Sequence, residues 1–452
     1  MKKAFLAILI FGKTTMAQPN VNYNDVVVIV NDNSQASQDI ANYFKVKRNI
    51  PAQNLIHINC STNEEIDSTT FSQIRIQIEN GLTNLSNLND INYLVTTKGL
   101  PLKVLNDDIN ISPSLGKSAS FDAELSLILG NYAYSIANWN NPINPFASAQ
   151  GHFTRNQYGI FMVTRLDAYT TSDVFNLIDK SGPNTAVNKQ ASHFIFNYAN
   201  VSNQAEKSLF FSRMQPAHDT LISKGWVSQI DTSNIFAQYY QNILGYFFVY
   251  NSLALNEKPN FLWVNGSITE ITSVKSGNTF DSNFAPLDRL LIADLIGEGA
   301  AGAHGYVYDV YFNFTLIPEK TFTFYTDTTN HYNLAESFYR GMLRLSDKDV
   351  IIGDPKTSII IDNTVGLSKI ENAADIEIYP NPSTDLVFIK SQVKIDSYKL
   401  YDSYGNILIN KKITTQTNQL SINFKEYVNG IYFIQLFKTD GYALNKRIVK
   451  SN

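Results

Sequence analysis

Cysteine is almost absent from this chain: Cys60 is the single one among 452 residues. An internal disulfide is thereby excluded, and so is any cysteine-rich metal centre. Long apolar runs are missing as well. The run from Ala4 to Phe11 is too short to span a bilayer, and no later stretch reaches the roughly 18 apolar residues a spanning helix needs. Basic charge is also in short supply, with 36 Lys and Arg against 40 Asp and Glu, which argues against a nucleic-acid partner. No GxSxG elbow, HExxH helix or EF-hand loop occurs, so the common serine-hydrolase, zinc-peptidase and calcium-sensor signatures are lacking. Gly297-Glu298-Gly299-Ala300-Ala301-Gly302 spells GxGxxG, but a helix is predicted before it and a strand after it, the reverse of a dinucleotide site. It reads as a helix stop followed by close packing.

What is present is a large apolar content, 44%, with 12% aromatic residues, enough to build a sizeable core. At the amino end Lys2 and Lys3 precede the short apolar run, and Thr15-Met16-Ala17 supplies small residues for a signal peptidase, with cleavage between Ala17 and Gln18. Residues 1–17 therefore read as a signal peptide, handed to the general export translocon and removed. Loss of Lys2, Lys3 and Lys13 takes the formal charge from −4 to −7. The mature protein is expected to have no transmembrane segment.

Residues 18–361 repeat one grammar, a short apolar run ending in polar residues or glycine and followed by an amphipathic helix. Val26 to Val30 ends in Asn31-Asp32-Asn33-Ser34, and helical spacing follows from Gln35 to Arg48. Similar runs stand at Tyr93 to Thr97, Ile160 to Thr164, His193 to Asn197, Tyr246 to Tyr250, Phe261 to Val264, Gly305 to Tyr308 and Val350 to Ile352. Continuous rather than alternating apolar runs predict a sheet covered on both faces, so the fold class is a layered α/β core with a mostly parallel sheet. Pro286 is expected to open a helix through Leu295 that Gly297 stops, and Pro216 to kink or divide a helix over residues 203–224. Asn106-Asp107-Asp108 with Asn110 reads as a solvated turn before a calcium site, and residues 362–374 as a linker.

Ligand sites in open α/β sheets gather at the carboxyl ends of strands. By that rule the candidate site residues are Asp32, Lys98, Arg165, Asp167 and Asp354, joined by Asp122 and Glu124 from the SFDAEL segment. They offer cations, an Arg fork and carboxylates suited to acid and base roles, or alternatively structural ion pairs and helix caps. No cofactor and no metal are called for.

Residues 375–452 change character. Seven β-type runs, IEIYP, LVFIK, SYKLYDS, ILINKKI, LSINF, IYFIQLF and LNKRIVK, are separated by turn residues and predict a small two-sheet, Ig-like sandwich. Tyr379-Pro380-Asn381-Pro382, Leu400-Tyr401-Asp402 with Gly405, Gly430-Ile431-Tyr432-Phe433 and Lys446-Arg447-Ile448-Val449 resemble, in order, the C-terminal sorting domain of Bacteroidetes proteins exported by type IX secretion. The resemblance implies the type IX machinery as partner, and delivery through the periplasm to the cell surface or medium.

The core carries a second resemblance. Thr96 to Leu102, Ser120 to Leu125, Val163 to Asp167, Gly302 to Val307, Leu334 to Tyr339 and Gly353-Asp354-Pro355 are similar in series to an uncharacterised family of exported bacterial proteins. More distantly, the Arg-bearing strand exit, the helix ending in Asp179-Lys180, the strand Phe261 to Gly266 and the closing Gly-Asp-Pro resemble gingipain-type cysteine peptidases, which implies a caspase-like sheet, a doubly wound one being the alternative. Those peptidases need a His-Gly pair after one strand and a Cys after the next. The matching stretches here, Leu244-Gly245-Tyr246 and Trp263 to Gly266, hold neither. The expectation is an exported protein without peptidase activity that binds an unidentified ligand at its strand-end rim. The alternatives are a secreted hydrolase using carboxylates and Arg165, or an adhesion or matrix protein.

Overall fold

A computed structural model describes residues 21–105, 118–130, 132, 142–250, 258–273, 275–310, 314–362, 376–402, 407–438 and 443–451. The expected signal segment with Ala17 and Gln18, the expected turn at Asn106 to Asn110, most of the expected linker and Gly405 lie outside them. The chain forms two compact units, one through Asp362 and one from Asn363 onward.

The first unit is built on a ten-stranded sheet. Its strands are β1 (Val26–Asn31), β2 (Leu55–Ile58), β3 (Tyr93–Thr97), β4 (Met162–Leu166), β5 (His193–Ala199), β6 (Val227–Asp231), β7 (Ile243–Tyr250), β8 (Trp263–Thr272), β9 (Gly302–Tyr306) and β10 (Asp349–Gly353). In space they run β6-β5-β7-β8-β9-β10-β4-β3-β1-β2. Two parallel halves are visible, β2-β1-β3-β4 and β6-β5-β7-β8-β9. Each begins at an inner strand, steps outward once and then reverses past its start. Strand β10 joins them, antiparallel to β9 over five pairs from Gly302↔Gly353 to Tyr306↔Asp349 and touching β4 at the bridge Ile352↔Arg165.

Strand β1 shows why the apolar runs are continuous. Val26, Val28 and Val30 enter one core cluster while Val27 and Ile29 enter another, so both faces of the strand are covered. Helices supply the cover: α1 (Gln35–Arg48), α2 (Ser68–Thr83), α3 (Phe121–Leu125), α4 (Thr171–Lys180), α5 (Gln204–Ser223), α6 (Ile292–Glu298), α7 (Pro318–Tyr325) and α8 (Leu334–Gly341). Helix α1 starts where Ser34 accepts the amide of Ser37, and it ends at Asn49 in the left-handed region.

Two helix expectations are corrected. Helix α5 runs through Pro216 undivided, because Phe210, Met214, Ala217 and Leu221 form a buried stripe on both sides of the proline. Helix α6 begins at Ile292 rather than at Pro286, since Asp294 caps the Leu291 amide at 2.9 Å, and Leu287 is left exposed. Its stop is Gly299, φ 118°, rather than Gly297.

In the second unit the seven expected runs become five strands: β11 (Ile376–Tyr379), β12 (Leu386–Tyr401), β13 (Ile407–Asn423), β14 (Gly430–Lys438) and β15 (Ala443–Lys450). All belong to one hydrogen-bonded sheet. The runs LVFIK and SYKLYDS fuse because no turn-forming pair separates them. The ladder to β14 slips by one residue between Ile395 and Ser397, so inward-facing residues change from Val387, Ile389 and Ile395 to Tyr398 and Leu400. That bulge bends β12, whose first part pairs with β11 and second with β14.

Candidate functional site

Four predicted rim residues meet at the carboxyl ends of β3 and β4. Arg165, fully buried on β4, donates from Nε and Nη2 to Asp122 Oδ2 and Oδ1 at 2.7 and 2.9 Å. Its Nη1 reaches the Leu100 carbonyl at 3.2 Å and Asp167 Oδ2 at 3.4 Å, and Nη2 also reaches the Pro101 carbonyl at 2.6 Å. A guanidinium has five N–H groups, and these contacts use them all. Thr96 donates its hydroxyl to Asp122 at 2.9 Å.

Lys98 closes the cluster. Its Nζ donates to the carbonyls of Ala168 and Phe280 at 2.8 and 3.0 Å and lies 3.3 Å from Asp167 Oδ1. The amide of Phe280 in turn donates to Glu64 Oε1 at 2.6 Å. The loop leaving β8 is therefore strapped to Lys98 and Glu64 by both backbone groups of one residue. Burial raises the Asp167 carboxyl above its ordinary range, against the pull of Lys98 and Arg165.

The topological switch point between β1 and β3, where such sheets usually receive ligands, is filled by the chain itself. Asn31 Nδ2 donates to the carbonyls of Gly99 and Cys60 at 2.8 and 3.3 Å. Gly99 has φ +90°, and a Cβ there would fall 2.1 Å from Ser34 Oγ. The cluster is thus a closed ionic latch. Asp122→Asn, which keeps the shape and removes the charge, is expected to lower the stability of the first unit by about 2 kcal/mol. Urea unfolding reads this directly, and an unchanged midpoint would contradict it.

The other rim candidates lie elsewhere. Asp354 is completely buried away from the rim, because β10 runs against β9 and delivers its carboxyl end to the opposite edge. There it accepts from Tyr23 Oη at 2.7 Å and Arg48 Nε at 2.6 Å. Arg48 also reaches the Ser181 carbonyl at 2.9 Å, tying α1 to the end of α4. Asp32 is exposed and pairs with His57 Nδ1 at 2.6 Å, while Glu124 takes the hydroxyl of Ser346.

One constellation has no signal in the sequence. His304 on β9 places Nδ1 against Glu270 Oε2 on β8 and Nε2 2.9 Å from Asp349 Oδ1 on β10. Glu270 Oε1 also accepts from Thr272 Oγ1 at 2.8 Å and Tyr306 Oη at 3.2 Å. His304 and Glu270 are fully buried, and Asp349 nearly so. Burial alone would lower the imidazole pKa, but the Glu270 and Asp349 carboxylates outweigh it and hold it at about 9. With a carboxylate on each nitrogen, the ring is an imidazolium that pins three strands where the two halves join. Among the described residues, no three His, Cys, Asp or Glu side chains form a group able to hold a metal ion.

The two stretches aligned with thiol peptidases sit at the wrong ends. Leu244-Gly245-Tyr246 lies within β7 near its start, and Trp263 to Gly266 opens β8. The segments that follow the carboxyl ends, 251–262 after β7 and 273–291 after β8, contain neither His nor Cys. Cys60 follows the opposite edge strand, β2, and burial pushes its thiol up to about 12. The pair of residues a cysteine peptidase requires is therefore absent.

In the second unit the predicted motif residues do structural work. Asn381, between Pro380 and Pro382, pairs its side-chain amide with the β15 backbone, donating to the Arg447 carbonyl and accepting the Val449 amide, each at 2.8 Å. Tyr432 Oη donates to the Val428 carbonyl at 2.6 Å. Gly430 stands opposite Lys450 and Lys446 opposite Ile434, and Tyr379 stacks on Phe388 across β11 and β12.

Residues 377–451 match the family described as the secretion system C-terminal sorting domain. No curated protein matches the chain. Among solved structures, the Arg-specific cysteine proteinase gingipain R is 10% identical with a TM-score of 0.45, covering 95% of this chain and 99% of its own. The complex of Porphyromonas gingivalis RgpB pro- and mature domains is 11% identical with a TM-score of 0.44, covering 94% and 100%. An Ig-like β-sandwich protein from Bacteroides vulgatus is 15% identical with a TM-score of 0.15 over 17% of this chain and 85% of its own. The strand order stands without these likenesses: in the second half it is 2-1-3-4-5 with an antiparallel sixth strand, a caspase-like arrangement. The chain is an exported protein with a mostly parallel caspase-like core, a separate β-rich sorting domain and no catalytic Cys/His pair. Among the described residues no helix is long and apolar enough to cross a membrane.

Proposed function

We propose that residues 375–452 are an export address for a non-peptidase core that works outside the cell as a binding protein. Residues 1–17 serve in this reading as a signal peptide for the general translocon, 18–361 as the working core and 362–374 as the tether. The type IX machinery is the partner that reads the address. An Ig-like sandwich remains our reading of the sorting unit; it is supported by the core that residues from both arms of the bent β12, Val387 and Ile389 with Tyr398 and Leu400, share with Ile434 and Ile448.

The observation that carries the non-hydrolase part of the reading is the closed rim. Arg165 and Lys98 spend their hydrogen bonds on Asp122, Asp167 and backbone carbonyls, which suits a scaffold better than a hydrolase. Two assays test it together. A monomeric reporter carrying residues 1–17 in front and 362–452 behind is expected to appear outside the cell. The purified full chain is expected to cleave neither casein nor Arg- or Lys-ester peptides. Hydrolysis abolished by a thiol reagent would overturn the non-peptidase reading, and a reporter that stays inside would overturn the address.

A further inference from the structure

Away from the rim, on the edge that holds Asp354, the first unit has an open cleft of about 250 Å³. His152, His331, Lys356, Asn92, Asn333, Asp25 and Glu336 line it, with Tyr93 among them. Its acceptors are already taken. Glu336, almost wholly buried at the start of α8, accepts the Phe153 amide at 2.8 Å, the Asn333 amide at 3.0 Å and His152 Nδ1 at 3.1 and 3.2 Å. Asp25 accepts Lys356 Nζ at 2.5 Å and Asn92 Nδ2 at 3.2 Å.

Its donors are less fully used. Lys356 has three N–H groups and spends one on Asp25 and one on the Asn22 carbonyl at 2.7 Å. Asn92 and Asn333 each commit one amide hydrogen, to Asp25 and to Tyr93 Oη at 2.8 Å, and carry a second. His331 sits in the left-handed region, φ 54°, a conformation that few side-chain-bearing residues adopt. His152 exposes 58% of its side chain.

We propose that this cleft binds a small oxyanion, a carboxylate or phosphate group, through Lys356, His331 and the spare amide hydrogens of Asn92 and Asn333, with the charge of the His152 ring beside them. Unspent donors facing spent acceptors select a ligand that brings only acceptors. The Glu336 carboxylate raises the His152 pKa, as does the Asn330 carbonyl, so the ring is more readily charged than an isolated one. The charged and titratable groups facing His152 are Glu336 and Arg340 on α8, Tyr332, His331, Lys356 and Asp25, with Tyr93 behind them; Arg340 opposes the Glu336 effect. Raising the pH discharges the His152 imidazole, so affinity falls.

Calorimetric titration of the full chain with inorganic phosphate and, separately, with acetate tests this at about pH 6 and about pH 8.5. Saturable binding of at least one anion is expected, about tenfold weaker at the higher pH. Preference for phosphate or for acetate identifies the group recognised. His152→Gln and Lys356→Met are each expected to weaken binding about fivefold, with the melting temperature confirming that both variants fold. No saturable binding of either anion at the lower pH, or equal affinity in both folded variants, would overturn the proposal. Neither outcome bears on export, which the reporter assay reads independently.

Discussion

Replacing His304 by Ala is expected to destabilise the first unit by about 3–5 kcal/mol, because it leaves Glu270 and Asp349 buried without the cation between them. The two carboxylates approach the ring from opposite sides on β8 and β10, and Tyr306 and Thr272 satisfy only one Glu270 oxygen. Denaturant unfolding followed by near-ultraviolet circular dichroism measures the loss. A cost under about 1 kcal/mol would show that the cluster is not an ionised triad.

The same cluster sets a pH dependence whose sign is fixed. The folded imidazole titrates at about 9, above its value of roughly 6.5 in an unfolded chain. Its contribution is complete below the unfolded value and fades as pH rises from there through about 9. The wild-type first unit should therefore lose stability across that alkaline window more steeply than His304→Gln. Equal slopes in the two proteins would remove His304 from the account.

How much of this was legible in the chain follows from what local pattern can encode. The run from Val26 to Asn31 announces a strand buried on two faces, and strand ends in a parallel sheet must share an edge. Lys98, Arg165 and Asp167 were therefore recognisable as neighbours. Their chemistry was not, because whether a guanidinium faces solvent or spends every N–H indoors depends on the Leu100 and Pro101 carbonyls, which no side-chain pattern reports. Asp354 was misplaced for a related reason. Nothing in Val350 to Gly353 says that the strand runs backward.

The His304 triad was invisible for another. Glu270 and Asp349 lie 34 and 45 residues from it, and only the order β8-β9-β10 brings them together. In the second unit, alternation located the strands but not the bulge after Ile395, which turns two expected runs into one bent strand. The absence of a catalytic Cys/His pair, by contrast, needed no coordinates, since the two matching stretches hold neither residue and the single cysteine, Cys60, stands far from them near the amino end.

The second large effect concerns destination. Asn381 behaves as a surrogate strand residue along β15, Ser383 bridges to Lys450, and Lys450 Nζ donates to the Tyr427 carbonyl at 2.5 Å, so the first and last segments of the sorting unit hold each other in place. Truncating either end should unravel the same sheet. The most direct measurement is the distribution of the protein between periplasm and exterior after removal of residues 376–452. If the sorting unit is the address, the folded first unit accumulates in the periplasm and the external fraction falls at least about tenfold, a loss no stability change in the core would mimic while that core stays folded. An external yield equal to that of the intact chain would contradict the account.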